Sequence, residues 1–343
     1  MGKISPAACN SDFCPKLELY TQYRCASVRD ITYIQAVSLT LTQGNYNAMQ
    51  SYLVSQLAVV VASGADAESF LQGQLTADVQ KLPPEQWSYA GHCDAKGKLL
   101  AVMRLWRSGG NFYLLMPRAS IEHSLGQLKK FSVFSKVELA EQSGEFEVEL
   151  SPVSSPLFAL ETADDAHFSL GLGDAQLRIR PVSIDTDDDA TTDELEIDDE
   201  AWLRYEIEHG IACLTDATVQ QFVPQMVGLD RLAGINYKKG CYIGQETIAR
   251  MHYLGQNKRA ARYLVGSADK IPAAGADLER SLGESWRRAG AVLNAVRYDS
   301  GEVAVLAVLP ADLENDATLR IKGDEASRLT PRPKFDNQEI SNE

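Results

Sequence analysis

The stretch richest in chemistry is Lys238-Lys239-Gly240-Cys241-Tyr242-Ile243-Gly244-Gln245-Glu246, which runs on into Thr247-Ile248-Ala249-Arg250-Met251-His252 with helical character. Glycines on both sides of Cys241 let the backbone turn tightly and present a thiol, and Gly244 leaves room for a close backbone approach. The lysines just before the cysteine, and the N-terminus of a helix opening near Gln245, both favour a thiolate. Isolated cysteines are more often small buried hydrophobes. Here the surroundings point instead to Cys241 as a functional thiol, with Lys239 as its charged neighbour.

Composition limits what such a thiol can serve. At 343 residues the chain is too long for one ordinary core, so two or three packed units are expected. With 45% hydrophobic and 23% charged residues it reads as globular, and the absence of a long uncharged apolar run argues for a soluble chain with no membrane partner. A formal net charge of -14 argues against binding nucleic acid over the whole surface, so DNA is not expected and any RNA contact must be local. Six cysteines without a C-x-x-C pair suggest neither a disulfide framework nor a metal site, and fit a reducing cytoplasm.

The elements that must position Cys241 are legible from turn residues and periodicity. A β-branched strand over 53–61 leads to Ser63-Gly64-Ala65-Asp66, read as a turn and helix cap before Phe70 and Leu71. Strands over 87–93 and 98–106 join at Asp94-Ala95-Lys96-Gly97, and Ser108-Gly109-Gly110-Asn111 turns the chain into 112–116, an antiparallel meander. Ile121, Leu125 and Leu128 mark a helix, after which 131–139 reads as strand. The acidic run over 185–200 is expected as a solvated loop, ending where Asp198 or Asp199 caps a helix carrying Trp202, Leu203, Tyr205 and Ile207 and terminated by Gly210. Beyond 262 the chain is β-rich, with a hairpin turn at Asp299-Ser300-Gly301.

These motifs carry a resemblance. Residues 239–246, together with Gly64-Ala65-Asp66, Gln72-Gly73-Gln74-Leu75-Thr76-Ala77-Asp78-Val79, His92-Cys93-Asp94-Ala95-Lys96-Gly97-Lys98, the run Leu128-Lys129-Lys130-Phe131-Ser132-Val133-Phe134-Ser135-Lys136-Val137, Gln221-Phe222-Val223-Pro224-Gln225 and Gly283-Glu284-Ser285-Trp286, resemble the YgfZ family in the same order. That family is a branch of the glycine-cleavage T-protein, or aminomethyltransferase, superfamily, and the likeness runs from about residue 49 to about 321. It implies an α+β, multi-unit fold around a central opening with a C-terminal β-barrel. The division expected is an extension of little structure (1–48), an N-terminal α+β unit (49–140), a central α+β unit with the Cys241 motif (141–261), the barrel (262–327) and a frayed tail (328–343).

The resemblance also implies a role: a folate-binding accessory protein that supports iron–sulfur enzymes or their assembly proteins and thereby tRNA modification, including methylthiolation. Its cofactor is tetrahydrofolate or a one-carbon derivative, and tRNA is among its partners. Cys241 and Lys239 are carried over as the functional positions; Trp202, Leu57, Gln245 and Glu246 as folate-binding ones, Leu57 standing where the family has a second tryptophan. In glycine cleavage a catalytic aspartate follows the turn corresponding to 94–97, and Lys98-Leu99-Leu100-Ala101-Val102 offers none. Whether the chain is an enzyme stays open. The alternatives are a tetrahydrofolate-dependent one-carbon transferase using Cys241 as nucleophile, and a non-catalytic RNA-binding scaffold using Lys238, Lys239, Arg250, Lys258, Arg259 and Arg262.

Overall fold

The structure is a computed structural model and describes residues 50–142, 144–164, 166–182, 195–255 and 257–335. The 1–48 segment, most of the acidic run and residues 336–343 of the expected tail lie outside the described residues.

A short first strand, β1 (Tyr52–Leu53), precedes β2 (Leu57–Ser63). The latter is buried along nearly its whole length because both faces are covered. Ala58, Val60 and Ala62 enter one core, while Leu57, Val59 and Val61 enter another. Alternation by twos sends successive side chains to opposite faces, so a run with no polar alternation marks a strand between two layers. Its sheet is antiparallel, with β3 (Ser88–Cys93), β4 (Leu99–Ser108), β5 (Asn111–Pro117) and β6 (Glu138–Glu141) in the order β3-β4-β5-β2-β6. Two helices, α1 (Ala67–Gln74) and α2 (Arg118–Phe131), pack Phe70, Leu71, Ile121, Leu125 and Leu128 on one face.

The other face meets a second antiparallel sheet and helix α3 (Asp199–Glu208). That sheet adds β7 (Phe146–Ser151), β8 (Leu160–Thr162), β9 (Phe168–Gly171) and β10 (Gln176–Pro181), in the order β1-β7-β10-β9-β8. Asp198 caps α3 as expected, its Oδ1 accepting from the Ala201 N–H at 2.8 Å. The carboxylate of Asp199 instead accepts from the Ser55 and Gln56 N–H groups at 2.8 and 3.1 Å, tying α3 to the start of β2. Gly210, at φ +68°, ends the helix. Helix α4 (Gln245–Tyr253) then follows the Cys241 motif, where a helix was read.

The last unit is a closed barrel of β11 (Arg259–Ser267), β12 (Asp277–Leu282), β13 (Ser285–Arg297), β14 (Val303–Pro310), β15 (Leu319–Ile321) and β16 (Arg328–Pro331). Its core is aliphatic, with Leu264, Leu278, Val292, Val305, Leu309 and Leu329 among its members. Four expectations are corrected. The barrel starts three residues before 262, at Arg259, and residues 328–331, read as tail, form the strand that closes it by pairing Leu264 to Pro331 and Ser267 to Arg328. Closure removes two exposed edges, which outweighs the polar, proline-containing local composition. The third correction lies at 131–139, where α2 continues through Phe131, a 3-10 turn covers Ser132–Phe134 and pairing with β2 begins only at Glu138. Finally, Asp66 sits at the start of α1 but does not cap it: its Oδ2 accepts from the Lys136 N–H at 2.7 Å.

Candidate functional site

Two backbone anchors hold the Cys241 segment. On its N-terminal side, the Asn236 N–H donates to the Thr76 carbonyl at 2.9 Å, and the Asn236 Oδ1 accepts from the Lys238 and Lys239 N–H groups at 2.8 and 2.9 Å. Asparagine here mimics a backbone turn and folds the chain back on itself. On the far side, the Ile243 N–H donates to the Gly73 carbonyl at 3.1 Å. The segment is thereby stitched to the end of α1 and the loop after it.

Burial changes sharply along this bridge. Lys239 and Tyr242 are buried, while Gly240 and Cys241 are exposed. The Lys239 Nζ donates to the Leu75 and Ala77 carbonyls at 2.8 and 2.6 Å and lies 5.1 Å from the centre of the Tyr242 ring. Burial lowers the Lys239 ammonium to about 8 against the pull of Asp78, and burial raises the Tyr242 phenol. The expectation of Lys239 as a charge directed at Cys241 is therefore corrected: its ammonium closes a structural joint. Two orphan carbonyls at the end of α1 need donors, and a buried lysine supplies them.

Gly244, at φ +81°, starts α4 and faces the Asp94–Gly97 turn between β3 and β4. That turn is held by Asp94, whose Oδ1 accepts from the Lys96 and Lys98 N–H groups, both at 2.9 Å. Of the other positions named for the site, Gln245 is half-buried in the first turn of α4 and Glu246 is exposed and paired with Arg250 at 2.9 Å. Cys241, Lys239, Gln245 and Glu246 thus share one segment.

Trp202 and Leu57 do not join them. Trp202 is fully buried, with the Arg104 guanidinium 4.9 Å from its ring and Tyr205 stacked at 6.0 Å. Leu57 is a core residue at the start of β2. Neither offers a face on which a pterin could stack, so these two residues do not fit the folate contact the resemblance implied. Arg262 is equally enclosed, donating to the Leu313 carbonyl at 2.9 Å and Asn315 Oδ1 at 2.8 Å. Of the six cations considered for phosphate contact, Lys239 and Arg262 are thereby removed.

The structure adds polar groups that were not singled out. Arg104 interrupts the apolar strand β4, and that interruption was the available signal. Its Nη2 donates to Glu206 Oε1 at 2.6 Å and to the Tyr89 hydroxyl at 3.2 Å, inside a ring of Trp87, Tyr89 and Trp202. The Cys213 thiol donates to the other Glu206 oxygen at 3.5 Å. Burial, and then Glu206, push that thiol up; burial and then Asp94 do the same to Cys93. Across α3 and the barrel, the Tyr298 hydroxyl donates to Glu208 Oε1 at 2.6 Å and lies 2.6 Å from the Tyr263 hydroxyl. A cleft of about 360 Å³ beside the Asp94–Gly97 turn is lined by Lys98, Phe222, Met226, Arg259, Gly275 and Arg288.

Among the described residues, no cluster of His, Cys, Asp and Glu could hold a metal, and no helix is long and apolar enough to cross a membrane. Cys9, Cys14 and Cys25 lie outside the described residues.

Comparison with known proteins agrees with this architecture. The family described as "YgfZ, beta-barrel domain" matches residues 257–324. The tRNA-modifying protein YgfZ of Photorhabdus laumondii is 38% identical over 295 residues, covering 80% of this chain and 88% of the relative. That of Escherichia coli O157:H7 is 38% identical over 293 residues, covering 80% and 90%. Among solved structures, the glycine cleavage system aminomethyltransferase T from Bartonella henselae superposes with a TM-score of 0.66 at 14% identity, covering 84% of this chain and 87% of that one. The fold is thus the α+β, T-protein-like one expected, with its closed barrel at the C-terminal end. At this identity and coverage the chain belongs to the YgfZ family.

Proposed function

We propose that this protein is an accessory factor in tRNA modification, working in the cytoplasm in support of iron–sulfur enzymes, with the Cys241 thiol as its working group. One observation carries the proposal. Of the three described cysteines, Cys93 and Cys213 are buried and Cys241 alone is exposed, on a bridge pinned at both ends. A nucleophile gains most when its position is fixed before the reaction, because little orientation has to be lost on the way to the transition state. The relatives, named as tRNA-modifying proteins, support the process served.

Glycine cleavage is not part of the proposal, since Leu99 to Trp106 in β4 carries no carboxylate. A tetrahydrofolate or one-carbon derivative enters only through the fold, and through Gln245 and Glu246, which remain accessible beside Cys241. Trp202 and Leu57, both buried, are not its contacts.

The test is complementation of cells lacking the protein. Methylthiolated nucleosides in digested tRNA and the activity of an iron–sulfur enzyme are compared for wild type and Cys241→Ala. Loss of both in the variant, at unchanged protein level, is expected. Full complementation by Cys241→Ala would leave the motif as a structural turn.

A further inference from the structure

The run 129–136 is not used by the Cys241 site, and its surface is unusual. Phe134 is 100% exposed, Val133 71% and Phe131 44%. Folding ordinarily turns such side chains inward, and a contiguous apolar group left in water marks a contact surface. The loop is not loose. Leu125 and Leu128 root it in the core, and the Ser135 N–H donates to the Ser132 carbonyl at 2.8 Å. At its far end, Lys136 donates its N–H to Asp66 Oδ2 at 2.7 Å and accepts at its carbonyl from the Asp66 N–H at 3.1 Å. Gly64, at φ +107°, admits that carbonyl so closely that a Cβ would strike it. The rings are held outward by a braced backbone.

Charge narrows the occupant. Lys129, Lys130 and Lys136 are exposed around the rings, and Glu138 is the one carboxylate in 128–138, on a chain of net charge -14. Aromatic faces interleaved with cations form a platform for unpaired bases and their phosphates. We propose that the 129–136 loop is a docking site for an unpaired stretch of RNA, with bases stacking on Phe131 and Phe134 and phosphates meeting Lys129, Lys130 and Lys136. It rests on the tRNA-modification role proposed above, and it adds a place of contact away from the thiol. Stacking makes the contact tolerant of sequence; the lysines make it sensitive to salt.

The test uses the full chain and two fluorescent probes, a short oligouridylate and an unmodified tRNA transcript, in anisotropy titrations over a series of salt concentrations. Phe134→Ala is expected to weaken both by about tenfold with little change in salt dependence. The Lys129→Ala, Lys130→Ala double variant is expected to flatten the slope of log affinity against log salt by roughly 0.7 per lysine removed. All three side chains are exposed, so thermal melting should match wild type and separate lost contact from lost fold. If wild type and variants bind tRNA equally, the loop is not the docking site, while the tRNA role stands and is judged by the Cys241→Ala complementation. Absence of RNA binding by wild type even at low salt would overturn the proposal as well. So would Phe134→Ala abolishing binding to phosphatidylglycerol vesicles, or impairing tRNA modification in cells, with RNA affinity untouched; those results assign the loop to a membrane or a protein partner.

Discussion

Gly97 and Gly244, far apart in sequence, meet face to face: a Cβ on Gly244 would lie 2.8 Å from the Gly97 Cα and 2.6 Å from the Asp94 carbonyl oxygen. Both have positive φ, +76° and +81°, so each needs glycine for its own backbone as well as for the approach. The contact seats the start of α4 on the β3–β4 turn, and with it the bridge that carries Cys241.

Gly244→Ala should therefore cost about 2–4 kcal/mol, from left-handed strain plus a backbone clash that cannot relax cheaply. Gly240→Ala, where a Cβ meets nothing and φ is not positive, should stay within about 0.5 kcal/mol of wild type. Urea unfolding of the two variants checks the contrast. Equal stability of the two variants would show that neither the left-handed backbone nor the contact with Gly97 requires glycine at 244.

Lys239→Met should cost about 2–4 kcal/mol, because it strips a donor from the buried carbonyls of Leu75 and Ala77. The pH dependence has a definite sign. Lys239 titrates at about 8 when folded against 10.5 as an ordinary lysine, so between those values the unfolded chain binds more protons and the term raises stability with pH. The stability gap between wild type and Lys239→Met should accordingly widen from pH 8 to about pH 10. A constant gap would mean the ammonium is not depressed.

His92 is buried, with Nδ1 2.9 Å from the Ser124 hydroxyl, and burial lowers it to about 4 from 6.5. Between these values the unfolded chain takes up a proton that the native state refuses, so stability falls as pH drops through that window, by about 3 kcal/mol in all. His92→Gln should flatten this part of the acid-unfolding curve. An unchanged slope from pH 6.5 to 4 would assign acid sensitivity to other groups.

Iodoacetamide at neutral pH should label Cys241 well before Cys93 and Cys213, which burial protects and holds in the thiol form. Peptide mapping after a brief pulse reads the order. In denaturant the three should react at similar rates, showing that the difference is imposed by the fold.

Trp202→Ala should act on stability, costing about 3–5 kcal/mol by emptying a fully buried site beside Arg104. Leu57→Trp should cost about 1–3 kcal/mol by overfilling the core. Unfolding curves measure both. If Leu57→Trp folds with wild-type stability and tightens a folate ligand, that core opens to ligands in solution.

Several local features were legible from the chain alone. The helix from Gln245, the Asp94–Gly97 turn, the Asp198 cap and the hairpin at Asp299-Ser300-Gly301 all depend on residues a few positions apart, where φ preferences and short-range hydrogen bonds decide. Their signals survive in sequence because their causes are local.

Tertiary structure decided the rest. The partners of Lys239 lie 164 and 162 residues away, so nothing in its neighbourhood could reveal that its charge is spent on the end of α1. Trp202, on helix α3, is core because Arg104, from strand β4, lies over its ring; residues 328–331 are ordered because β11 needs a partner to close the barrel. Phe131 and Phe134 look like strand residues, but the edge of β2 accepts pairing only from Glu138 onward, and the Asp66 turn takes the backbone before it. In each case the deciding contact joins distant residues. Composition sets what a side chain can do, and packing chooses which of those things it does.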